Sequence, residues 1–120
     1  MVTNALKDKI TYMHDGGEQI RDWIHVDDHC DAILTLDKQN VINDKFNIGG
    51  ACELPNIEVT KMILDMLNKP HSLIGVSHDR PGVDKRYETD FSKLTERTGW
   101  VHQIPFDAGL AGTVRFYLNK

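Results

Sequence analysis

Several features that usually reveal a protein's function are scarce or missing in this chain. Cysteine is nearly absent, with only Cys30 and Cys52. That is too few for a disulfide framework and leads us to expect a reducing, cytoplasmic setting. No apolar run is long enough to span a bilayer and no signal-peptide pattern follows Met1, so a membrane is not expected among the partners. There is no basic block, and the formal net charge is −4. Nucleic-acid binders usually carry a basic stripe, so nucleic acid is not expected either. Internal repeats, low-complexity tracts and Gly/Ser linkers are missing. GxGxxG and GxxGxxG are absent, so no dinucleotide fingerprint is present. No tyrosine is followed by lysine four positions later, and GxSxG and HExxH do not occur.

What remains is ordinary soluble composition, 40% hydrophobic and 27% charged over 120 residues. That is enough for one core, so residues 1–120 read as one domain or one piece of a domain. Val2–Leu6 reads as a helical turn and Lys9–Met13 as a short strand, with a turn at Asp15-Gly16-Gly17. Ile20–Val26 alternates partly and predicts a strand, with Ile20, Asp22, Ile24 and Val26 on one face and Arg21, Trp23 and His25 on the other. Asp27 then reads as the cap of a helix running to about Asp37, with Val26, Cys30, Ile33 and Leu34 at helical spacing. Lys45–Ile48 reads as a strand before Gly49-Gly50.

The clearest helix opens at Leu54-Pro55-Asn56, with Asn56 as its cap. It carries Val59, Met62, Ile63, Met66 and Leu67 on one stripe and ends at Asn68-Lys69-Pro70. Leu73–Val76 reads as a strand, and Asp90–Leu94 starts a helix that stops at Gly99, with Trp100 as a packing anchor. Phe106, Leu110, Val114, Tyr117 and Leu118 give a last amphipathic helix capped by Asp107. Short strands alternating with helices define an α/β, or α+β-like, class.

Three stretches hold residue types that could carry chemistry. His78–Tyr87 gathers Arg80, Lys85 and Arg86 with Asp79 and Asp84 around a Pro81-Gly82 turn. It is either a solvated charged turn or a place where guanidinium forks meet a phosphate or carboxylate. His25–Asp31 is dense in metal-ligand types, with His25 and His29 four apart. But His25 belongs to the strand end, and acidic groups in a first helical turn suit the helix dipole without any metal. Arg21 lies beside Trp23 and is costly to bury unless paired. It is either in a structural ion pair with Asp22 or another carboxylate, or aimed at an anion. Arg21 and Arg80 together would suit a diphosphate. His14, His71 and His102 are isolated and read as surface or packing residues.

Taken together, IRDWIHVDDHCDAI (20–33), FNIGG (46–50), NIEV (56–59), DRPGVDKRY (79–87) and Lys93 with Thr98-Gly99-Trp100 resemble the dTDP-glucose 4,6-dehydratases, extended short-chain dehydrogenase/reductases. FNIGG and the Gly-Trp ending are shared with other nucleotide-sugar epimerases and dehydratases. The RDW and DRPG stretches are more specific to this branch.

The resemblance implies the C-terminal, substrate-binding part of such an enzyme. The NAD-binding Rossmann domain, the catalytic Asp-Glu pair and YxxxK belong to a preceding part of the family fold. No cofactor is therefore expected on this chain, though NAD serves the intact family enzyme. The family reaction oxidises C4 of the sugar, removes water across C5–C6 and returns hydride to C6, feeding deoxysugar synthesis such as that of rhamnose. By resemblance, the dTDP-sugar is gripped by Tyr12, Met13, His14, Arg21, Asn56, Asp79, Arg80, Pro81, Gly82 and Val83. The family usually has Pro, an aliphatic and an aromatic at 12–14 and a histidine at 83, so those positions depart from the pattern. Tyr12 or His14 could lie against the thymine ring.

The isolated chain is expected to turn nothing over, to expose the apolar face that rests on the Rossmann sheet, and to form no family-type homodimer. The alternatives are a non-catalytic nucleotide-sugar-binding module, half of a split enzyme with a separately encoded Rossmann half, or another epimerase or decarboxylase of the superfamily. A metal hydrolase built on His25, Asp28 and His29 is a further alternative.

Overall fold

The computed structural model describes residues 1–78 and 81–120. Asp79 and Arg80 lie outside the described residues. Among the described residues, helices α1 (Val2–Leu6), α2 (Val26–Lys38), α3 (Asn56–Met66), α4 (Ser92–Thr98) and α5 (Phe106–Leu118) are interspersed with short, three-residue strands. The strands are β1 (Thr11–Met13), β2 (Ile20–Asp22), β3 (Glu53–Pro55) and β4 (Ile74–Val76). They form two separate pairs: β1 beside β4, parallel, and β2 beside β3, antiparallel. The α/β class expected from the sequence is therefore present.

Two apolar clusters hold the elements together. In the first, Val59, Ile63 and Leu64 of α3 meet Val2 and Ala5 of α1 and Val114 of α5, with Trp23, Phe106 and Leu110 packed around them. In the second, Ala32 of α2, Leu94 of α4 and Trp100 close against Ile24, Leu36, Phe46, Ile48 and Phe91. Trp100 is the anchor its place after the helix stop implied. It is buried, its indole N–H reaches Asp31 Oδ2 at 3.2 Å, and its ring meets Phe91 edge-on. Asp28 is buried at the start of α2, where its two oxygens accept from the N–H groups of Gln103 and Ile104 at 2.9 and 3.0 Å. A carboxylate so bonded ties α2 to the segment before α5.

Several sequence expectations need correction. The strand expected over Ile20–Val26 ends at Asp22, because the chain turns at His25 to begin α2. The cap of α2 is His25, not Asp27: its Nδ1 accepts from the Asp27 N–H at 3.2 Å. Val26, Cys30, Ile33 and Leu34 do not face the core, and all four are exposed; the face turned inward carries Asp28 and Ala32. Lys45–Ile48 is not a strand. Its backbone finds no ladder partner, although Phe46 and Ile48 still pack into the second cluster.

Helix α3 begins at Asn56 itself, with Pro55 in the cap position and no side-chain cap. Likewise Pro105 precedes α5, and Asp107 lies in its first turn. In both cases the fixed φ of proline starts the helix where a side-chain oxygen was expected to. On α3, Val59 and Ile63 are buried as the stripe implied, while Met66 is exposed and Thr60 and Leu64 complete the inner face.

The molecule is a slab of 48 × 37 × 18 Å with a radius of gyration of 16.6 Å, where a compact chain of this length has about 13.6 Å. It exposes 7986 Å², against roughly 6,600 Å² for a compact monomer of its mass.

Candidate functional site

The parallel pairing of β1 with β4 sets Thr11, Tyr12 and Met13 opposite Ile74, Gly75 and Val76. The Ser77 N–H extends the ladder to the Met13 carbonyl at 2.9 Å. His14 Nδ1 then lies 2.7 Å from the His78 carbonyl and 2.9 Å from Ser77 Oγ. A carbonyl only accepts, so Nδ1 carries the hydrogen. The segment 12–14 is thereby fixed to the chain entering the Pro-Gly turn. Tyr12 is exposed and available to a ligand, whereas Met13 is buried. The Met13 sulfur lies 3.9 Å from the Thr60 hydroxyl.

Past that turn, the chain returns along β2. Gly82 sits at φ 78°, as a Pro-Gly turn needs. The Ile20 N–H donates to the Lys85 carbonyl at 2.8 Å, and Arg86 bridges to Ile20 in parallel. Arg86 binds Glu53 of β3 through two bonds, Nε to Oε1 at 2.9 Å and Nη2 to Oε2 at 2.7 Å. The bonded guanidinium holds the Glu53 carboxyl below its usual range and pushes Arg86 higher. The next residue, Tyr87, lies under Arg21, with the guanidinium carbon 4.8 Å from the ring centroid.

Of the two readings left open for Arg21, the ion pair with Asp22 is not formed. Asp22 instead accepts from the N–H groups of Gly50 and Cys52 at 3.1 and 3.0 Å. Among the described residues no carboxylate pairs with Arg21. Its Nη1 donates to its neighbour's carbonyl, Ile20 O, at 2.7 Å, and the rest of the fork is free to meet an anion. Asn56 is joined to the same strand, its N–H donating to the Gln19 carbonyl at 3.0 Å. Its side-chain amide makes no hydrogen bond among the described residues.

The structure thus gathers Tyr12, His14, Arg21, Asn56 and the two flanks of the Pro-Gly turn along the two strand pairs. Pro81, Gly82 and Val83 are exposed. The sequence reading missed Tyr87 and the Glu53–Arg86 clip. The available signal was an aromatic and a cation directly following the Pro-Gly turn, next to a strand that also carries an arginine.

The large cavity lies elsewhere. About 680 Å³ opens between Trp23, His25, Gly50–Cys52, Phe106, Leu110 and Tyr117, with Met1 and Val2 at its edge. Its walls are mostly apolar, and among the described residues none of the expected ligand-binding ones lines it. Burial pushes the Cys52 thiol up, helped by the charges of Asp22 and Asp107, so it stays protonated there. Gly50 makes the closest approach, since a Cβ would stand 2.0 Å from the Trp23 carbonyl oxygen.

The metal alternative finds no support. His25 caps α2, Asp28 is spent on backbone N–H groups, and among the described residues no cluster of three His, Cys, Asp or Glu can hold a metal. The turns leading from β2 into α2 (Trp23-Ile24-His25) and from β3 into α3 (Pro55-Asn56) carry no glycine of the kind a pyrophosphate turn uses. Among the described residues no helix is long and apolar enough to cross a membrane.

The lobe's fold is that of the NAD-dependent epimerases and dehydratases of nucleotide sugars. A UDP-glucose 4-epimerase of Thermotoga maritima shares it over 98% of this chain with a TM-score of 0.84, at 23% identity, a likeness of fold alone. A sequence model of the GDP-mannose 4,6 dehydratase family matches residues 1–113, and the chain belongs to that family. Within it, the chain is similar to the dTDP-glucose 4,6-dehydratase of Escherichia coli, 38% identical over 131 residues covering 100% of this chain and 36% of that protein. It is 39% identical to the enzyme of the same description from Haemophilus influenzae, over 98% of this chain and 38% of the relative. The dTDP-glucose 4,6-dehydratase of Streptomyces venezuelae, whose structure holds NAD and a dTDP-type ligand, matches with a TM-score of 0.93 and 36% identity, covering 99% of this chain and 37% of the relative. The chain spans a little over a third of the length of these relatives.

Proposed function

We propose that residues 1–120 form the nucleotide-sugar-binding lobe of a dTDP-glucose 4,6-dehydratase, the enzyme class converting dTDP-glucose to dTDP-4-keto-6-deoxyglucose for deoxysugar synthesis. The observation that carries this reading is Arg21: a half-buried guanidinium on β2, without a carboxylate among the described residues, beside the chain leaving the Pro81-Gly82 turn. A planar fork held in this way suits a diphosphate. In this reading Arg21 and Arg80 share the diphosphate. The Asn56 amide meets a polar group of the nucleotide or sugar, and Tyr12 offers a ring to the thymine. Asp79 and residues 81–83 wrap the substrate, and Val83 contributes shape rather than a hydrogen bond. His14 holds the turn in place rather than touching the base.

The lobe binds and does not turn over. Its sequence holds no YxxxK pair and no GxGxxG turn. Activity calls for an NAD-binding Rossmann module, on a companion chain or on a longer polypeptide. The apolar cavity beside Trp23 and Phe106, together with the exposed surface in excess of a compact monomer, favours such a companion. In this account the chain alone forms no family-type homodimer.

Calorimetric titration with dTDP tests the binding. We expect saturable binding by the wild type, weaker binding of UDP, and at least about tenfold weaker dTDP binding in Arg21→Ala and Arg80→Ala, the size of one lost charge-assisted contact. Equal binding in all three proteins would refute the assignment. Product formation from dTDP-glucose and NAD by the pure chain would refute its inactivity.

A further inference from the structure

We propose that Tyr87 is a positioning residue for Arg21, holding the guanidinium in the orientation that receives the diphosphate; this rests on the reading of Arg21 given above. An arginine on a strand has four rotatable bonds and, left to solvent, spreads over many rotamers. Here two contacts reduce that freedom. Nη1 is bonded to Ile20 O at 2.7 Å, and one face of the fork lies over the Tyr87 ring at 4.8 Å. Neither contact neutralises the charge, and the remaining N–H groups stay available to an anion.

Tyr87 can do this because its own backbone is fixed. The Ile20 N–H holds Lys85 O at 2.8 Å, and Arg86 is doubly bonded to Glu53. Side chains alternate along extended backbone. Asp22 and Glu53 are opposite each other in the ladder, and Arg21 is the neighbour of Asp22. Arg86 therefore goes to the Glu53 face and Tyr87 to the Arg21 face, as the contacts record. The stretch carrying Tyr87 follows the Pro81-Gly82 turn in the chain. Placement of that stretch and orientation of Arg21 are consequently one event, and Tyr87 acts on Arg21 without touching the ligand.

The test uses the whole chain with Tyr87→Leu and Tyr87→Phe, each also in an Arg21→Ala background. In the free protein, the Arg21 Nε–Hε resonance should be shifted upfield by the tyrosine ring, lose that shift in Tyr87→Leu and keep it in Tyr87→Phe. Affinity for dTDP should fall ~3- to 10-fold in Tyr87→Leu and stay within about twofold in Tyr87→Phe, the range a face-on cation contact supports. Affinity for thymidine, which has no phosphates, should not change. In the Arg21→Ala background, Tyr87→Leu should have no further effect. An equal loss in that background, or failure of phenylalanine to rescue, would overturn the inference. If the wild type binds no dTDP, the reading of the site fails by itself. The Arg21 resonance still decides the positioning role: a shift that Tyr87→Leu removes supports it, and one that it leaves in place overturns it.

Discussion

The strand side of the molecule and the cavity side are finished in different ways. Along β1–β4 and β2–β3, directional contacts hold several of the described residues. Examples are His14 on the His78 carbonyl, Arg86 on Glu53, Arg21 on Tyr87, and Asn56 on the Gln19 carbonyl. Around the 680 Å³ cavity, Phe106, Leu110, Ile104 and Tyr117 present mostly apolar walls. The whole chain exposes 7986 Å², an excess of roughly 1,400 Å² over a compact monomer and comparable to the area a specific protein interface buries. A site for a charged ligand needs fixed donors more than volume, whereas an apolar hollow needs a cover. In the proposed reading the ligand binds on the strand side, away from the larger volume.

The comparison breaks most completely at the residue both halves share. Gly50 gives its N–H to Asp22 on the strand side and lines the cavity on the other. In Gly50→Ala the new Cβ meets the Trp23 carbonyl at 2.0 Å, and main chain cannot move aside cheaply. We expect a loss of about 3 kcal/mol or more, seen in thermal melts as partial or complete unfolding. A melt like the wild type's would mean that the two halves are not joined there.

Next in size, Arg21→Ala should abolish most dTDP binding while leaving an apolar dye such as anilinonaphthalene sulfonate bound in the cavity. Leu110→Glu should do the reverse, because a charge in that wall removes the apolar surface the dye needs. Competition between dTDP and the dye in the wild type would show a single site and dissolve the distinction.

The ion pairs give a smaller, pH-dependent effect. Glu53 has its carboxyl below the ordinary 4.5 because Arg86 bonds to it. A depressed carboxyl contributes stability that is present above its unfolded pKa and lost as pH falls through the lower folded value. The clip should therefore stabilise the chain at neutral pH, begin to lose that effect as pH falls below about 4.5, and lose it fully once pH passes the lower folded value. Asp44, lowered by its bond from Lys93, and Asp90, lowered by its bonds from Ser92, act in the same direction. Melting temperatures of wild type and Glu53→Gln should differ at pH 7 and converge as pH drops below 4. A gap that stays constant with pH would remove the charge from the account. The smallest effect is expected of His14→Ala, about 1 kcal/mol for one hydrogen bond to a half-exposed carbonyl. His14→Asn, which keeps a donor, should recover most of it.

How much of this was legible in the sequence follows from the range of the signals. Helices α3, α4 and α5 were visible because their apolar spacing and their glycine or proline stops are local. Trp100 was placed correctly because a tryptophan after a helix stop has few places to go but inward. Lys45–Ile48 misled because β-prone residues form a strand only when a partner edge is present, and here none is. The outward stripe of α2 misled for the opposite reason: Val26, Ile33 and Leu34 have apolar periodicity, but the bonds of Asp28 to Gln103 and Ile104 turn the other face inward. That stripe is surface in this chain and belongs with the cavity among the faces that call for a cover. In the site, Arg21 and Asn56 could be named from their motifs. That Asp22 would be spent on Gly50 and Cys52, and Arg21 left to Tyr87, depends on residues about 30 and 66 positions away in sequence, beyond any local pattern.

The most direct test of the account is a residue-resolved NMR titration of the chain with dTDP. The account predicts saturable shifts centred on Tyr12–His14, Arg21, Asn56 and residues 79–87, saturating only at about tenfold or more higher dTDP in Arg21→Ala, with the resonances of Phe106, Leu110 and Tyr117 unmoved. Shifts centred instead on Trp23, Phe106 and Tyr117, or shifts that saturate at the same dTDP concentration in Arg21→Ala, would contradict it.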